Sequence, residues 1–249
     1  MTDLSFLFRT SVHELDKGYE TDRVSYSKYL GISELGHPCA RYLWYMFRNY
    51  LPKQPVEGRV QRIFDTGHAQ EERIIQGLQK FALVGNTQAK VTACEGHLLG
   101  YSDFDILGIP ENPEVVHQGE AKSMNEKQFK ATKKDGVQKH QFKHFVQFQV
   151  YGYLRNLTKF FYIAINKNDE AVHVEVGDIE PSFAQAQINR AERIVHATEP
   201  PERIGPPSCP DCLWCPAAGI CHRGEPHEVN YRNDGSHKPG ADGKWVKYN

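Results

Sequence analysis

The chain has 249 residues, a formal net charge of -1, and 39% hydrophobic and 11% aromatic residues, enough for one large α/β domain with its own core or for two small domains. A balance so close to neutral excludes a protein coated in positive potential, so any nucleic-acid binding must come from local patches. The longest apolar run, Phe160 to Ile165, is far too short to cross a bilayer. The first residues also lack the basic segment and apolar core of a secretory signal, which predicts a cytoplasmic protein, either bacterial or, if phage-encoded, in its host.

Residues 1–29 form an N-terminal segment with a few apolar positions and little other signal. From Ile32 the text becomes Ile-Ser-Glu-Leu-Gly-His-Pro-Cys39-Ala-Arg41-Tyr-Leu-Trp-Tyr-Met-Phe. Ser33 suits the cap of a short turn, and the apolar residues after Pro38 suit a buried helix. Arg41 is the odd charge there: it is a candidate for a DNA phosphate, or else for a buried carboxylate or helix end. Residues 50–58 read as a loop, and residues 60–82 as the clearest helix, with apolar residues at 60, 63, 64, 74, 75, 78 and 81. Gly67-His68 interrupts that pattern. His68 follows Phe64 by four and precedes Glu72 by four, so the three share a stripe; the imidazole is either a packed core group or a ligand for a metal such as manganese.

Residues 90–95 and 97–106 read as strands, with Cys94 a small buried thiol. Residues 96–122 hold the densest chemistry. The strand predicted over 115–122 places Glu120 and Lys122 on one side, because alternate residues of a strand share a face. Asp103, in Gly100-Tyr-Ser-Asp103, returns beside Glu120 if the loop 108–114 makes a hairpin-like connection. Two carboxylates suit a magnesium-like cation, and a neighbouring ammonium suits the orientation of an attacking water, so the set predicts phosphodiester hydrolysis. The plainer alternative is a solvated surface pair.

Six lysines follow: Lys127, Lys130, Lys133, Lys134, Lys139 and Lys143, a candidate DNA-phosphate patch directly after the charged strand. Residues 140–157 read as a helix in which Gln147 and Tyr151 lie four apart, one able to donate to a phosphate and the other to hydrogen-bond or stack near DNA. A hairpin over 159–166 and 171–176 and a helix over 179–198 complete an alternation that predicts an α/β fold, a mixed central sheet flanked by helices. The tail, 223–249, is rich in Gly, Asn, Asp, Lys and Pro and is expected to be flexible.

Four of the six cysteines fall in Cys209-Pro-Asp-Cys212-Leu-Trp-Cys215-Pro-Ala-Ala-Gly-Ile-Cys221-His222. In a reducing compartment such spacing points to a metal rather than to disulfides. Zinc on Cys209, Cys212, Cys215 and Cys221 (or His222) is one solution. A 4Fe-4S cluster on three of these plus Cys39 is the other, and it would close a loop of about 170 residues.

Taken together, the motifs resemble the PD-(D/E)XK nuclease superfamily, specifically the RecB-like exonucleases, with the likeness nearest to the CRISPR-associated RecB-like exonucleases and the AddB nuclease domain with its iron-sulfur staple. The likeness spans residues 30–222 and rests on His68, Gly-x-x-Asp103, Glu120-x-Lys122 and Gln147-x-x-x-Tyr151. It implies that His68, Asp103 and Glu120 hold Mg2+ or Mn2+, that Lys122 assists the nucleophilic water, and that Gln147 and Tyr151 position DNA. It also implies a cluster on Cys39, Cys212, Cys215 and Cys221 that ties the two ends of the domain together; Cys209 departs from that pattern and keeps a zinc site open. The implied protein is a metal-dependent DNA exonuclease of repair, recombination or phage-type DNA processing, for which an annealing protein or helicase would be a fitting partner. The alternatives are an endonuclease of the same superfamily and a non-catalytic nucleic-acid-binding or partner-docking module.

Overall fold

The structure, a computed structural model, describes residues 4–20, 29–51, 56–224, 237–239 and 245–247. In chain order its elements are α1 (Leu4–Tyr19), β1 (Leu30–Gly31), a 3-10 turn (Ile32–Glu34), α2 (Ala40–Phe47), α3 (Gly58–Leu78), β2 (Leu83–Gly85), β3 (Ala89–Ala93), β4 (Leu98–Ser102) and β5 (Phe104–Leu107). There follow β6 (His117–Met124), α4 (Glu126–Asp135), α5 (Val137–His140), α6 (Phe142–Leu154), β7 (Lys159–Asn166), β8 (Val172–Asp178), α7 (Pro181–His196), α8 (Pro210–Leu213), a π-turn (Gly219–Arg223), β9 (His237–Pro239) and β10 (Trp245–Lys247). Most of the tail expected to be flexible lies outside the described residues; within it, β9 and β10 pair antiparallel.

A mixed sheet in the order β2-β5-β6-β7-β8 forms the centre, and a second sheet, β1-β4-β3, adjoins it. Only β6 and β7 run parallel within the five-stranded sheet, and α4, α5 and α6 supply the crossover that parallel neighbours require. The alternation of β7 explains its burial on both sides. Phe161, Ile163 and Ile165 pack with Ile74 and Leu78 of α3 on one face, while Phe160, Tyr162 and Ala164 meet Phe145 and Phe148 of α6 on the other. Burying each such large side chain contributes about 1.5–3 kcal/mol, so the two helices are held from opposite sides of one strand.

Several boundaries differ from the sequence reading for physical reasons. The stretch 97–106 is not one strand: the chain leaves the smaller sheet after Ser102 and enters the larger at Phe104, with Asp103 at the handover. The strand carrying Glu120 begins at His117 and runs on through Ser123-Met124, because parallel pairing with β7 continues to Asn166; Asn125 then caps α4 by accepting from the Gln128 N–H. The lysine run is therefore helical from Glu126 to Asp135. α3 passes through Gly67-His68 without interruption, and in its first half Ile63 and Phe64 are exposed rather than packed. The helix expected over 140–157 divides at Gln141 into α5 and α6, and Cys94 is half-buried rather than buried.

Candidate active site

The register of the antiparallel pair β5–β6 positions the charged residues. Phe104 faces Gly119 and Asp105 faces Gln118, so the next step places Asp103 beside Glu120 on the same side of the sheet. Gly119 is required at this point, since a side chain there would collide with the Phe104 ring. The ladder stops at Asp103, whose carboxylate instead accepts the Ala121 N–H at 3.0 Å. Lys122, two residues past Glu120, extends its ammonium to both acids, to Asp103 Oδ2 at 3.4 Å and to Glu120 Oε1 in direct ion-pair contact.

Glu120 is fully buried, and neither of its carboxylate oxygens receives an aligned hydrogen bond. Burial, and then the Asp103 carboxylate, push it up to about 8 in spite of Lys122. Burial works against the Lys122 ammonium as well, but Glu120 and Asp103 outweigh it and hold the group above its ordinary value. Two acids thus converge on a single positive charge.

Helix α6 covers this polar strip with side chains at 144, 147 and 151, and Arg155, the residue that ends the helix, continues the row. His144 Nδ1 lies 3.0 Å from the Tyr162 hydroxyl, and Tyr162 is the register partner of Glu120 on β7. Burial, then Lys122 and Lys143, lower His144 to about 3, so its ring is neutral. Tyr151 packs against Gly100, where any Cβ would strike the phenol, and the Tyr101 backbone hydrogen-bonds its oxygen. The glycine of Gly-x-x-Asp and the tyrosine of Gln-x-x-x-Tyr are therefore two halves of one contact. Arg155 completes the stripe by clamping Asp105 with two bonds of 2.5 Å while also donating to Ser102 at 2.9 Å and Gln118 at 3.1 Å.

Lys122 and Gln147 open into a cleft of about 1020 Å3 that is also lined by His68 and Phe64 of α3 and by Lys143 and His144 of α6. His68 reaches the wall of this cleft and of an adjoining polar pocket that contains Glu71 and Gln88. Glu71 is a functional candidate that the sequence reading passed over. Burial, then Asp103, raise it above its ordinary value, against Lys122, its hydrogen bond from Gln88 and His68. Its signal was the helix stripe Glu71, Ile74, Leu78, an acid in line with two buried apolar residues.

Among the other predicted residues, Lys143 lines the cleft and pairs with Glu34 at 2.6 Å across its lip. Lys130 pairs with Glu126 and Lys139 with Asp135 on exposed helix surface; Lys127, Lys133 and Lys134 share α4 with Lys130. Arg41 turns away from the cleft, donating to the Pro201 carbonyl at 2.8 Å and to the Tyr45 hydroxyl at 3.2 Å. Cys39, Cys212, Cys215 and Cys221 line one cavity, while Cys209 stands behind Cys212 and accepts its thiol hydrogen bond, which is the first cause holding the Cys212 thiol above its ordinary value. One stretch supplies walls to both places. Ser33, Glu34, Gly36 and Pro38 border the cleft, and Cys39, Arg41 and Tyr42 border the cysteine cavity. Arg190 of α7 pins the middle of that stretch by the carbonyls of Leu35 and His37, each at 2.6 Å.

Among the described residues, no three or more His, Cys, Asp or Glu side chains stand together as a ready cage for one metal ion. The expected set His68, Asp103 and Glu120 is thus present as an adjacent carboxylate pair with an imidazole on the cleft wall, and the four cysteines share a cavity without closing a cage. The donor chemistry still fits a hard cation at the pair, because Asp103 and Glu120 are oxygen donors that already converge on one positive charge.

No family model matches the chain, and no curated protein matches it. Among solved structures it is similar to the crystal structure of SSO0001, at 14% identity and a TM-score of 0.45, covering 89% of this chain and 96% of that one. It is also similar to the crystal structure of LHK-Exo in complex with dAMP, at 8% identity and a TM-score of 0.47, covering 68% of this chain and 86% of that one. Likenesses of this strength assign neither an activity nor a site. No helix among the described residues is long and apolar enough to cross a membrane.

Proposed function

We propose that this chain is a divalent-metal-dependent deoxyribonuclease of the PD-(D/E)XK, RecB-like kind, acting as an exonuclease on DNA. The observation that carries this reading is the adjacent pair Asp103 and Glu120 sharing the ammonium of Lys122, which itself lines a cleft with His68, Lys143 and Gln147. Asp103 and Glu120 would hold Mg2+ or Mn2+, with Glu71 and His68 beside them, and the bound ion would supply an acidified water and neutralise charge on the phosphate. Lys122 would orient the attacking water and meet the negative charge that develops on the phosphoryl oxygens. Gln147 offers its amide to a phosphate oxygen in the cleft, while Tyr151 fixes the Gly100–Asp103 segment and so the position of the first acid. Lys143 and the lysines of α4 and α5 draw in the phosphate backbone.

The cysteine cavity is assigned in the same reading to a 4Fe-4S cluster on Cys39, Cys212, Cys215 and Cys221, with zinc as the competing occupant. The convergence of an early and three late cysteines on one cavity supports it. Iron, sulfide and zinc analysis of anaerobically purified protein separates the two.

The decisive assay incubates end-labelled linear and closed circular DNA, single- and double-stranded, with Mg2+, Mn2+ or EDTA. Loss of linear DNA alone, only with metal, is the expected result. Cleavage of circles would identify an endonuclease, and DNA retention without cleavage under any metal would identify a binding module instead.

A further inference from the structure

Two aromatic rings in the cleft have no role in the chemistry above. Phe64, on the first half of α3, is 50% exposed, and Phe142, the first residue of α6, is 43% exposed; both border the same cleft as Lys122. Phe142 is also braced from behind, edge-on to Phe183 at 6.1 Å and stacked with Phe145 at 6.5 Å, so its outward face is held rather than loose. Gly36 permits this arrangement: a side chain there would overlap the Lys143 backbone beside Phe142. Around the rings stand Lys143, His140, His68 and Lys122, cationic or hydrogen-bonding groups suited to a phosphodiester backbone.

Exposed aromatic faces beside hydrogen-bond donors in a groove are a pattern that binds unpaired bases, since every base presents a π-face whereas a duplex hides it. We infer that Phe64 and Phe142 are base-stacking residues that seat the terminal unpaired nucleotides of a single strand in the cleft, with the adjoining phosphate directed toward Lys122. The rings thereby set substrate choice, favouring a single-stranded end over a blunt duplex. This inference rests on the nuclease reading for its biological meaning but not for its test, which measures binding without turnover.

The experiment uses the full chain in EDTA and 2-aminopurine-labelled single-stranded oligodeoxynucleotides, with the matched blunt duplex and the equivalent single-stranded RNA as separate arms. Stacking on the rings quenches 2-aminopurine at the strand end, and the wild-type protein is expected to show this and to bind the single strand more tightly than the duplex. Phe64→Ala and Phe142→Ala should each weaken single-strand binding by about tenfold or more, the scale of one lost base–aromatic stack. Duplex affinity should change less than twofold, and Phe→Trp at either position should keep tight binding where Phe→Leu does not. Equal losses for single strand and duplex, a Phe→Leu variant as good as the wild type, or unquenched 2-aminopurine would each overturn the inference. Were an alanine variant unfolded by circular dichroism, the wild-type quenching and the Trp and Leu pair would still decide. A chain that binds and stacks single strands but never cleaves them would sink the nuclease reading and leave this one standing; RNA bound as tightly as DNA would keep the stacking and broaden the substrate.

Discussion

At the scale of residues, the charge of Glu120 is opposed by full burial and by the Asp103 carboxylate and is answered by Lys122. Replacing Glu120 with glutamine keeps the shape and leaves Lys122 paired with Asp103 at 3.4 Å, so the fold should survive. Cleavage of linear DNA with Mg2+ should nevertheless fall by at least ~100-fold, in the range of losing a positioned catalytic group; a Glu120→Gln protein that cleaves at the wild-type rate would falsify the assignment. His144 makes a different prediction. Its folded value lies near 3, below its ordinary 6.5, so the folded state refuses a proton that the unfolded chain accepts. The stability this provides is complete above pH 6.5 and drains away as pH falls toward 3, at most about 1.4 kcal/mol per pH unit. His144→Gln retains a partner for the Tyr162 hydroxyl and removes this contribution, so urea melts should show the variant losing less stability than the wild type between pH 7 and pH 4.5.

The elements show how much of this was legible beforehand and why the rest was not. Period-two alternation placed Glu120 and Lys122 on one face, and a turn between strands brought Asp103 back to them, because those are local consequences of backbone geometry. The break at Asp103 was invisible, since it depends on which of two sheets each half of the stretch joins, a choice made by partners far along the chain. Glu71 is not legible from spacing, because the four-residue step from His68 leads to Glu72, whereas Glu71 is the acid that feels Asp103. Gly100 could be read as part of a motif, but its reason lies on another helix. Gly100→Ala should cost about 1–3 kcal/mol in urea unfolding through collision with Tyr151, and Tyr151→Phe in the same protein should recover part of it. Arg155→Met tests the far end of the stripe: Asp105, buried and left without its clamp, should destabilise the protein by about 3–5 kcal/mol.

At the scale of the whole molecule, residues near position 39 and residues 212–221 meet at one cavity although most of the described chain lies between them. With a metal or cluster bound, Cys39→Ala should empty the site and cost on the order of 4 kcal/mol, the scale of releasing a closed loop longer than 100 residues; metal analysis and thermal melting check both halves of that expectation. The cavity also lies close to the cleft in a way that spacing in the sequence concealed, because Ser33–Tyr42 is a party wall with a room on either side. Damage begun in one room should therefore be felt in the other. Exposure to air that oxidises the thiols should slow DNA cleavage while the strands bearing Asp103, Glu120 and Lys122 keep their hydrogen-exchange protection, and anaerobic reduction with dithiothreitol followed by iron and inorganic sulfide should restore it. Such an enzyme would fail through its plumbing, with its blades still sharp.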